Sequence, residues 1–502
     1  MKIRVKSTQN NGFSAKNQIF TSFSKTIDLR TGDNFLSKKQ RFNIASIVFI
    51  AIFFILLPWV FVVRRKLILQ PDKPWITCIL NVFLLPLKKL RIGPFKHKFD
   101  AASALRGAMK ACKVTNVGSD SKFLENYTDI LHGPAFTSSE FCCLGLISAQ
   151  KELVEAFKRR LRGQQFLDSH LDDMNVPMKR PIFVVGLPRT GTTFLHRLLS
   201  LDPNCRAPLT WELFSPYPLT SSSDLEELNA DRINRRKYTD KNIKQMQQFG
   251  GESLKAIHEV GTDLPEECLI SLTNDIPVLF SLLNSCFIEY ERFVNMECDS
   301  AYARHKQVLQ TLAWQIGEGR NGSFSRRWVL KCPIHLMFID SIARVFPDAV
   351  IVYTHRTPVD AVSSLASLNR ALHSSFYEPW TFNAAATGQA SLAWASYSYN
   401  KAMKDLDASQ LQCVHVKYDE LISRPKEVLL QTLNKIDGIT AIPAEFDKRL
   451  DEFLRADKEK RNVEKGKKKK LHSYNPRDFG LTKEGIEEEM KGYMQKFGFS
   501  GK

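Results

Sequence analysis

Residues Pro181 to Pro203 read PIFVVGLPRTGTTFLHRLLSLDP, and this stretch decides how the rest of the chain is read. Ile182, Phe183, Val184 and Val185 form a continuous apolar run. Gly186 and Gly191 bound a short loop, and Phe194, Leu195, Leu198 and Leu199 recur at helical spacing until Asp202 and Pro203 stop the pattern. The expectation is a buried strand, an anion-binding loop and a helix. Glycine at both ends lets the backbone turn tightly, so that successive N–H groups and a helix N-terminus face one anion. Thr190, Thr192 and Thr193 add hydroxyl donors. The loop therefore calls for a phosphate. A nucleotide kinase would place Lys and then Ser or Thr directly after the second glycine. Here Thr192 and Thr193 follow Gly191, and the cation stands earlier, at Arg189.

Working outward, Trp328 to Leu330 predicts a strand ending at Lys331, and Val350 to Tyr353 predicts another, followed by Thr354, His355 and Arg356. A helix follows Pro358, with Asp360 in its first turn and Ser364 further along, and Val414 to Pro425 adds one more strand and helix. Such repeated strand, loop and helix units predict an α/β domain on a mostly parallel sheet. Ligands gather at the carboxyl ends of such strands, so Arg356 and Ser364 can converge on one anion. In HEVGTDLPEECLISL, from His258 to Leu272, Asp263 is the expected cap of a helix, with Pro265, Glu266 and Glu267 in its first turn. Phe99 to Met178 predicts a helical lead-in packed on the sheet. The polar stretch from Asp224 to Lys255 predicts exposed helices over a substrate cleft. Between Arg455 and Lys470, nine lysines and arginines stand against three carboxylates. A run this dense is expected to be solvated and mobile.

With 502 residues, the chain is long enough for a catalytic domain plus an appendage, and its net charge of +18 favours anionic partners. No nucleic-acid-binding module accompanies the charge, so no nucleic acid is expected as a partner. Ten cysteines include the adjacent pair Cys142 and Cys143 but no CxxC spacing, so no metal is expected and disulfide pairing stays unassigned. Residues 1–41 form a basic tail without apolar periodicity. Residues 42–63 are 22 positions without a charge, enough for a single transmembrane helix. Residues 64–98 form a juxtamembrane segment in which Trp75 to Leu87, interrupted by Pro86 and ending before Lys88 and Lys89, suits a helix lying in the membrane interface. Residues 99–502 are then the catalytic domain with its lead-in. Flanking cations nearly balance, so they leave the orientation open. The sequons at Asn126 and Asn321 permit a lumenal domain.

Taken together, GLPRTGTT, the Pro265-Glu266-Glu267 segment, LKCPIH (Leu330 to His335), HRTP (His355 to Pro358) and HSYNPRDFGL (His472 to Leu481) resemble the sulfotransferase superfamily. Its donor is 3′-phosphoadenosine 5′-phosphosulfate (PAPS), and the match is to the branch whose loop reads GLPRSGTT. The resemblance implies a P-loop-like parallel sheet with helices on both faces, preceded here by the membrane helix. It implies that Arg189, Thr190, Gly191, Thr192 and Thr193 hold the 5′-phosphosulfate, that Arg356 and Ser364 hold the 3′-phosphate, and that Lys465-Gly466-Lys467 is the counterpart of a lysine-glycine element assisting them. Soluble aryl and steroid relatives carry the catalytic histidine two residues after the strand-end lysine, where this chain has Pro333. The candidate bases are His258, Glu266, Glu267 and His335, with His258 favoured and a neighbouring carboxylate orienting or replacing it, while Lys331 stabilises charge. The expected reaction is sulfuryl transfer to a hydroxyl of a carbohydrate, a lipid or a small alcohol, without a required metal, in a Golgi or endomembrane setting, with a lumenal catalytic domain favoured over a cytosolic-facing one. A P-loop kinase and a non-catalytic membrane scaffold are the alternatives.

Overall fold

The central strands are rich in apolar, β-branched and aromatic residues, the composition of a parallel sheet covered on both faces. A computed structural model describes residues 61–65, 75–114, 117, 121–132, 140–170, 176–249, 259–277, 293, 296–467 and 475–499. Its strands are β1 (Ile182–Val185), β2 (Cys205–Arg206), β3 (Arg327–Lys331), β4 (Val350–His355) and β5 (Gln412–Lys417), all parallel and ordered β2-β3-β1-β4-β5. The chain leaves β1 toward one edge and later returns to β4 on its other side. The carboxyl end of β1 is thus a topological switch point, where open α/β sheets bind ligands. Register fixes what flanks it: Val184 pairs with Lys331 on β3, and Val185 pairs with Tyr353 on β4.

Helices follow in the order α1 (Trp75–Leu90), α2 (Ala101–Cys112), α3 (Lys122–Leu131), α4 (Cys143–Ser169), α5 (Thr192–Leu199), α6 (Leu225–Phe249) and α7 (Asp299–Trp314). Beyond them lie α8 (Ile339–Val345), α9 (Pro358–Phe376), α10 (Ala384–Ala408), α11 (Pro425–Asp437), α12 (Ala444–Lys467) and α13 (Lys491–Phe497). Alternation along the strands divides the core. Ile182, Val184, Val329, Val350, Val352 and Val414 pack with Leu195 and Leu198 of α5 and with Leu429 and Phe446 of α11 and α12. Phe183, Val185, Leu330 and Ile351 face the other way, against Val308 and Leu312 of α7, Val362 of α9 and Trp394 of α10. Helices on both faces therefore match the expectation.

The lead-in has a core of its own, with Phe123, Tyr127, Leu153, Phe157 and Leu161 packed together. Phe166 and Leu167, near the end of α4, pass into the main core. Two features weld the lead-in to α9. Phe141 bridges Tyr377 as an antiparallel pair, and Gly145 approaches so closely that a Cβ there would lie 2.0 Å from the Phe376 carbonyl oxygen. The apolar run at Trp75 forms α1, which packs on this unit: the Leu144 N–H donates to Asn81 Oδ1 (2.8 Å) and Lys88 Nζ donates to the Phe141 carbonyl (2.5 Å).

Several expectations change or fall outside the described residues. Residues 42–60 of the uncharged run, like the whole basic tail, lie outside them, and among the described residues no helix is long and apolar enough to cross a membrane. Asn126 is buried in α3, so as packed it offers no acceptor surface for a glycan, whereas Asn321 is exposed. The basic stretch from Arg455 is helical as far as Lys467, because acidic residues one turn away pair with it, as Asp457 does with Arg461.

Gly145→Ala is expected to destabilise the protein by about 1–3 kcal/mol, the usual cost of overpacking a close contact. Chemical denaturation should show the lead-in and the sheet domain losing stability in one shifted transition; an unchanged midpoint would show that α4 and α9 are not held at that distance.

Candidate active site

Gly186 ends β1 with φ 153°, and a Cβ there would sit 2.4 Å from Thr354 Oγ1, so only glycine lets the loop leave the strand beside β4. Thr190 is buried; its hydroxyl donates to the Leu187 carbonyl (2.7 Å) and lies 2.7 Å from Thr354 Oγ1. Its side chain thus staples the loop to β4 instead of facing a ligand, which leaves its backbone N–H for that task. Gly191, with φ 90°, caps α5. The first-turn N–H groups of Thr192 and Thr193 have no partners inside the helix and point into the loop.

Arg189 adopts φ 72°, a conformation that costs a non-glycine residue energy and gathers at functional sites. Its Nε donates to Ser364 Oγ on α9 (3.3 Å), and its carbonyl accepts from Arg356 Nη1 (3.1 Å). Arg189, Arg356 and Ser364 therefore meet at one place, as the spacing of Arg356 and Ser364 predicted. Arg356 lies 4.5 Å from the centre of the Tyr418 ring, its Nη2 is 3.6 Å from Asp360, and its Nε is buried without a hydrogen-bond partner. The sequence reading missed Tyr418, although an aromatic directly after the carboxyl end of β5 was a usable signal. Also missed was the support behind Arg356, whose carbonyl accepts from Tyr493 on α13 (3.3 Å); Tyr493 in turn lies 3.1 Å from His355 Nδ1.

The expected capped helix at Pro265 is not formed. Pro265 pairs with Leu209 in an antiparallel bridge, Glu266 N–H donates to the Pro208 carbonyl (3.0 Å), and the helix begins only at Leu269. A backbone partner at Pro208 competes successfully with the helical turn. Asp263 instead pairs with Arg236. The chain instead carries Glu267 to the carboxyl end of β3, where Cys268 N–H donates to the Lys331 carbonyl (2.9 Å) and the Lys331 ammonium pairs with Glu267 Oε1. Lys331 is only 1% exposed. Glu266 is buried, with Oε1 accepting from the Glu267 N–H (2.8 Å) and Oε2 from Thr210 (3.4 Å).

His335 does not face this site. It is buried against Phe183, its Nδ1 bonds to the Tyr302 hydroxyl (2.7 Å), and burial pushes its pKa well below the ordinary value. His258 lies outside the described residues; its neighbour Glu259 pairs with Arg197 of α5 (2.8 Å) and Lys460 of α12 (2.5 Å). Lys465, Gly466 and Lys467 form the last turn of α12, whose Arg461 lies 4.9 Å over the Phe194 ring, so the basic stretch runs beside α5. Among the described residues, no group of three or more metal-binding side chains converges.

The sequence profile of the sulfotransferase family matches residues 181–437, slightly more than half of the chain. The chain belongs to the sulfotransferase family. It is 25% identical over 193 residues to the omega-hydroxy-beta-dihydromenaquinone-9 sulfotransferase Stf3 of Mycobacterium bovis and of Mycobacterium tuberculosis. The match covers 38% of this chain and 46% of each relative, so it spans about half the length of those relatives. Among solved structures, sulfotransferase STF9 from Mycobacterium avium matches with a TM-score of 0.65 at 22% identity, covering 80% of this chain and 97% of that one. STF1 from Mycobacterium tuberculosis H37Rv matches with 0.62 at 24%, covering 78% and 98%. These likenesses establish the fold of this sulfotransferase.

Buried histidines make its stability depend on pH, and His196 illustrates the effect. His196 on α5 bonds through Nε2 to the Val329 carbonyl (3.1 Å), and burial, with Lys331 nearby, lowers its pKa from 6.5 to about 3. Between those values the unfolded chain binds a proton that the folded chain does not. Stability therefore rises with pH across this window and is lost as pH falls from about 6.5 toward 3, at about 1.4 kcal/mol per pH unit for this group. His196→Gln keeps a donor for Val329 and should flatten the pH 6.5 to 5 slope of the unfolding free energy, measured by denaturation at each pH, by about that amount. An unaltered slope would place His196 in water.

Proposed function

We propose that this sulfotransferase moves a sulfuryl group from PAPS to an acceptor hydroxyl. The observation that carries the reading is the meeting of Arg189, Ser364 and Arg356 beside the N-terminus of α5, with a buried Arg356 donor left over for a ligand. Two anion sites result: the loop amides with the start of α5 suit the 5′-phosphosulfate, and the Arg356 and Ser364 side suits the 3′-phosphate. Arg189 stands between them. Tyr418 walls the loop at Gly191, where a Cβ would meet its ring at 3.0 Å.

For chemistry, the chain offers the Glu267 and Lys331 pair, one strand away from the loop. As the acceptor oxygen bonds to sulfur, Glu267 takes the hydroxyl proton and the bond from sulfur to the bridging oxygen breaks. Lys331, the loop amides and Arg189 stabilise the charge that gathers on the departing 3′-phosphoadenosine 5′-phosphate. No covalent intermediate is needed. Glu266, held by Thr210 and the Glu267 N–H, fixes the backbone that aims Glu267. This moves the preference from His258 to the carboxylate that the fold brings to the strand end. The name of the Stf3 relatives specifies a hydroxylated menaquinone as their substrate, which supports a lipid alcohol among the acceptor classes. We further propose that residues 42–63 anchor the chain by a single span, with the catalytic domain and α1 on the same side of the membrane.

Calorimetric titration should rank 3′-phosphoadenosine 5′-phosphate well above AMP and ATP, and Arg356→Ala should abolish the preference. Equal affinity for all three would favour a kinase-like site. For the base, Glu267→Gln is expected to lower turnover by about 10²-fold or more with donor affinity nearly unchanged, since a positioned base acts in the transition state. A dead His258→Ala enzyme beside an active Glu267→Gln enzyme would return the role to the histidine.

A further inference from the structure

From Trp75 to Phe99 the chain carries five lysines and arginines and no carboxylate. That stretch contains α1, whose inner face is used: Thr77, Cys78, Asn81 and Val82 are buried, and Asn81 and Lys88 hold α4 and the segment before it. Its outer face is apolar and open to solvent. Ile76 is 45% exposed, Phe83 65% and Leu90 68%, at sevenfold spacing that keeps all three on one side of the helix, and Ile92 just beyond is 46% exposed. A helix of 16 residues is too short to span a bilayer, which needs about 20. Amphipathic helices of this kind instead lie along the surface.

Next to the end of α1, Lys96, His97, Lys98, Arg106 and His132 line an open hollow of about 560 Å³. Asp100 is the sole carboxylate among the described residues that line it, and it is already engaged as the cap of α2, accepting from the Ser103 N–H (2.6 Å) and hydroxyl (3.2 Å). Exposed apolar side chains and a cationic hollow thus adjoin one another. A water-facing helix that served only the fold would not need the apolar stripe, and a protein partner would not need an unbroken excess of cations. An anionic bilayer surface fits both, and the uncharged run that ends at Val63 lies 12 positions before α1.

We propose that α1 and the hollow at Lys96, Lys98 and Arg106 form a docking surface for anionic phospholipid. The apolar stripe enters the acyl boundary while the hollow receives phosphate headgroups. This contact is distinct from a transmembrane anchor and independent of the reaction catalysed. It would hold the domain in one orientation against the membrane instead of leaving it tethered at a distance.

The test uses the full chain carrying Leu90→Trp, reconstituted into vesicles of phosphatidylcholine alone or with phosphatidylserine, both with acyl chains brominated as quenchers. Subtracting the parent chain isolates the new indole. Quenching is expected in the phosphatidylserine vesicles and should be much weaker in the neutral ones. Adding Lys96→Glu and Lys98→Glu should lower the docked fraction roughly tenfold or more, since each cation near an anionic surface contributes about fivefold. Those exposed substitutions leave any anchor in place, so loss of quenching reports docking and not tethering; equal melting temperatures would confirm intact folding. Quenching that is absent, or indifferent to phosphatidylserine and to the charge reversals, overturns the proposal. So does shielding of the introduced indole from acrylamide without lipid that grows with protein concentration, which would assign the stripe to a second copy of the chain.

Discussion

The closeness of β1 and β4 at their carboxyl ends governs the rest of the site. Gly186 has no room for a side chain because Thr354 occupies that space, and the Thr354 hydroxyl meets Thr190 just before α5 begins. This staple fixes the path of the loop and hence the direction in which α5 presents its N-terminus. It also sets Arg189 in a left-handed turn, from which its carbonyl meets Arg356 and its side chain meets Ser364. Backbone strain of about 1–3 kcal/mol at such a residue persists only when its surroundings over-determine it. Here β4, α9 and the loop do so together.

Support for that arrangement comes from the far end of the chain. Tyr493 donates to the Arg356 carbonyl, His355 Nδ1 faces the Tyr493 oxygen, and His355 Nε2 faces His415 Nδ1 on β5 (2.9 Å). Since Tyr493 donates its proton to the carbonyl, His355 Nδ1 donates to the Tyr493 oxygen, and in the neutral imidazole Nε2 then accepts from His415 Nδ1. Burial agrees, lowering its pKa to about 2. The FGL motif works similarly, by packing: Phe479 and Leu481 are buried, Gly480 takes φ 65°, and Gly388 of α10 leaves room for the Phe479 carbonyl, which a Cβ would approach to 2.1 Å.

Much of this was legible in the sequence, because β1, the loop and α5 are local: apolar run, bounding glycines and helical spacing lie within some twenty residues. Among the described residues the five strands are parallel; four are legible from their apolar or alternating residues, while β2 is too short to leave a pattern. Failure came where a distant partner overrode local preference. Nothing near Pro265 announces that Pro208 and Leu209 will pair with it, so a good helix start became an isolated bridge. His335 looked as eligible as Glu267 by position, since sequence spacing does not say which residues of a short helix turn into the core. Tyr493 and His415 were invisible because their roles exist only through contacts with His355 across large sequence separations.

The Glu267 and Lys331 pair shows why stability and chemistry are hard to separate here. An ammonium as buried as that of Lys331 costs several kcal/mol to desolvate, and deleting one partner of a buried pair commonly costs about 3–5 kcal/mol because the other charge is left uncompensated. Replacing the lysine with an apolar residue would relieve the desolvation cost, yet it would leave Glu267 without a partner and the strand end without a cation beside the loop. The register places this cation next to Val184, two residues before Gly186, so it stands where charge would develop during transfer. During transfer, the negative charge gathering on the bridging oxygen would draw the Lys331 ammonium away from Glu267 Oε1, and that movement would free the same oxygen to take the acceptor's proton.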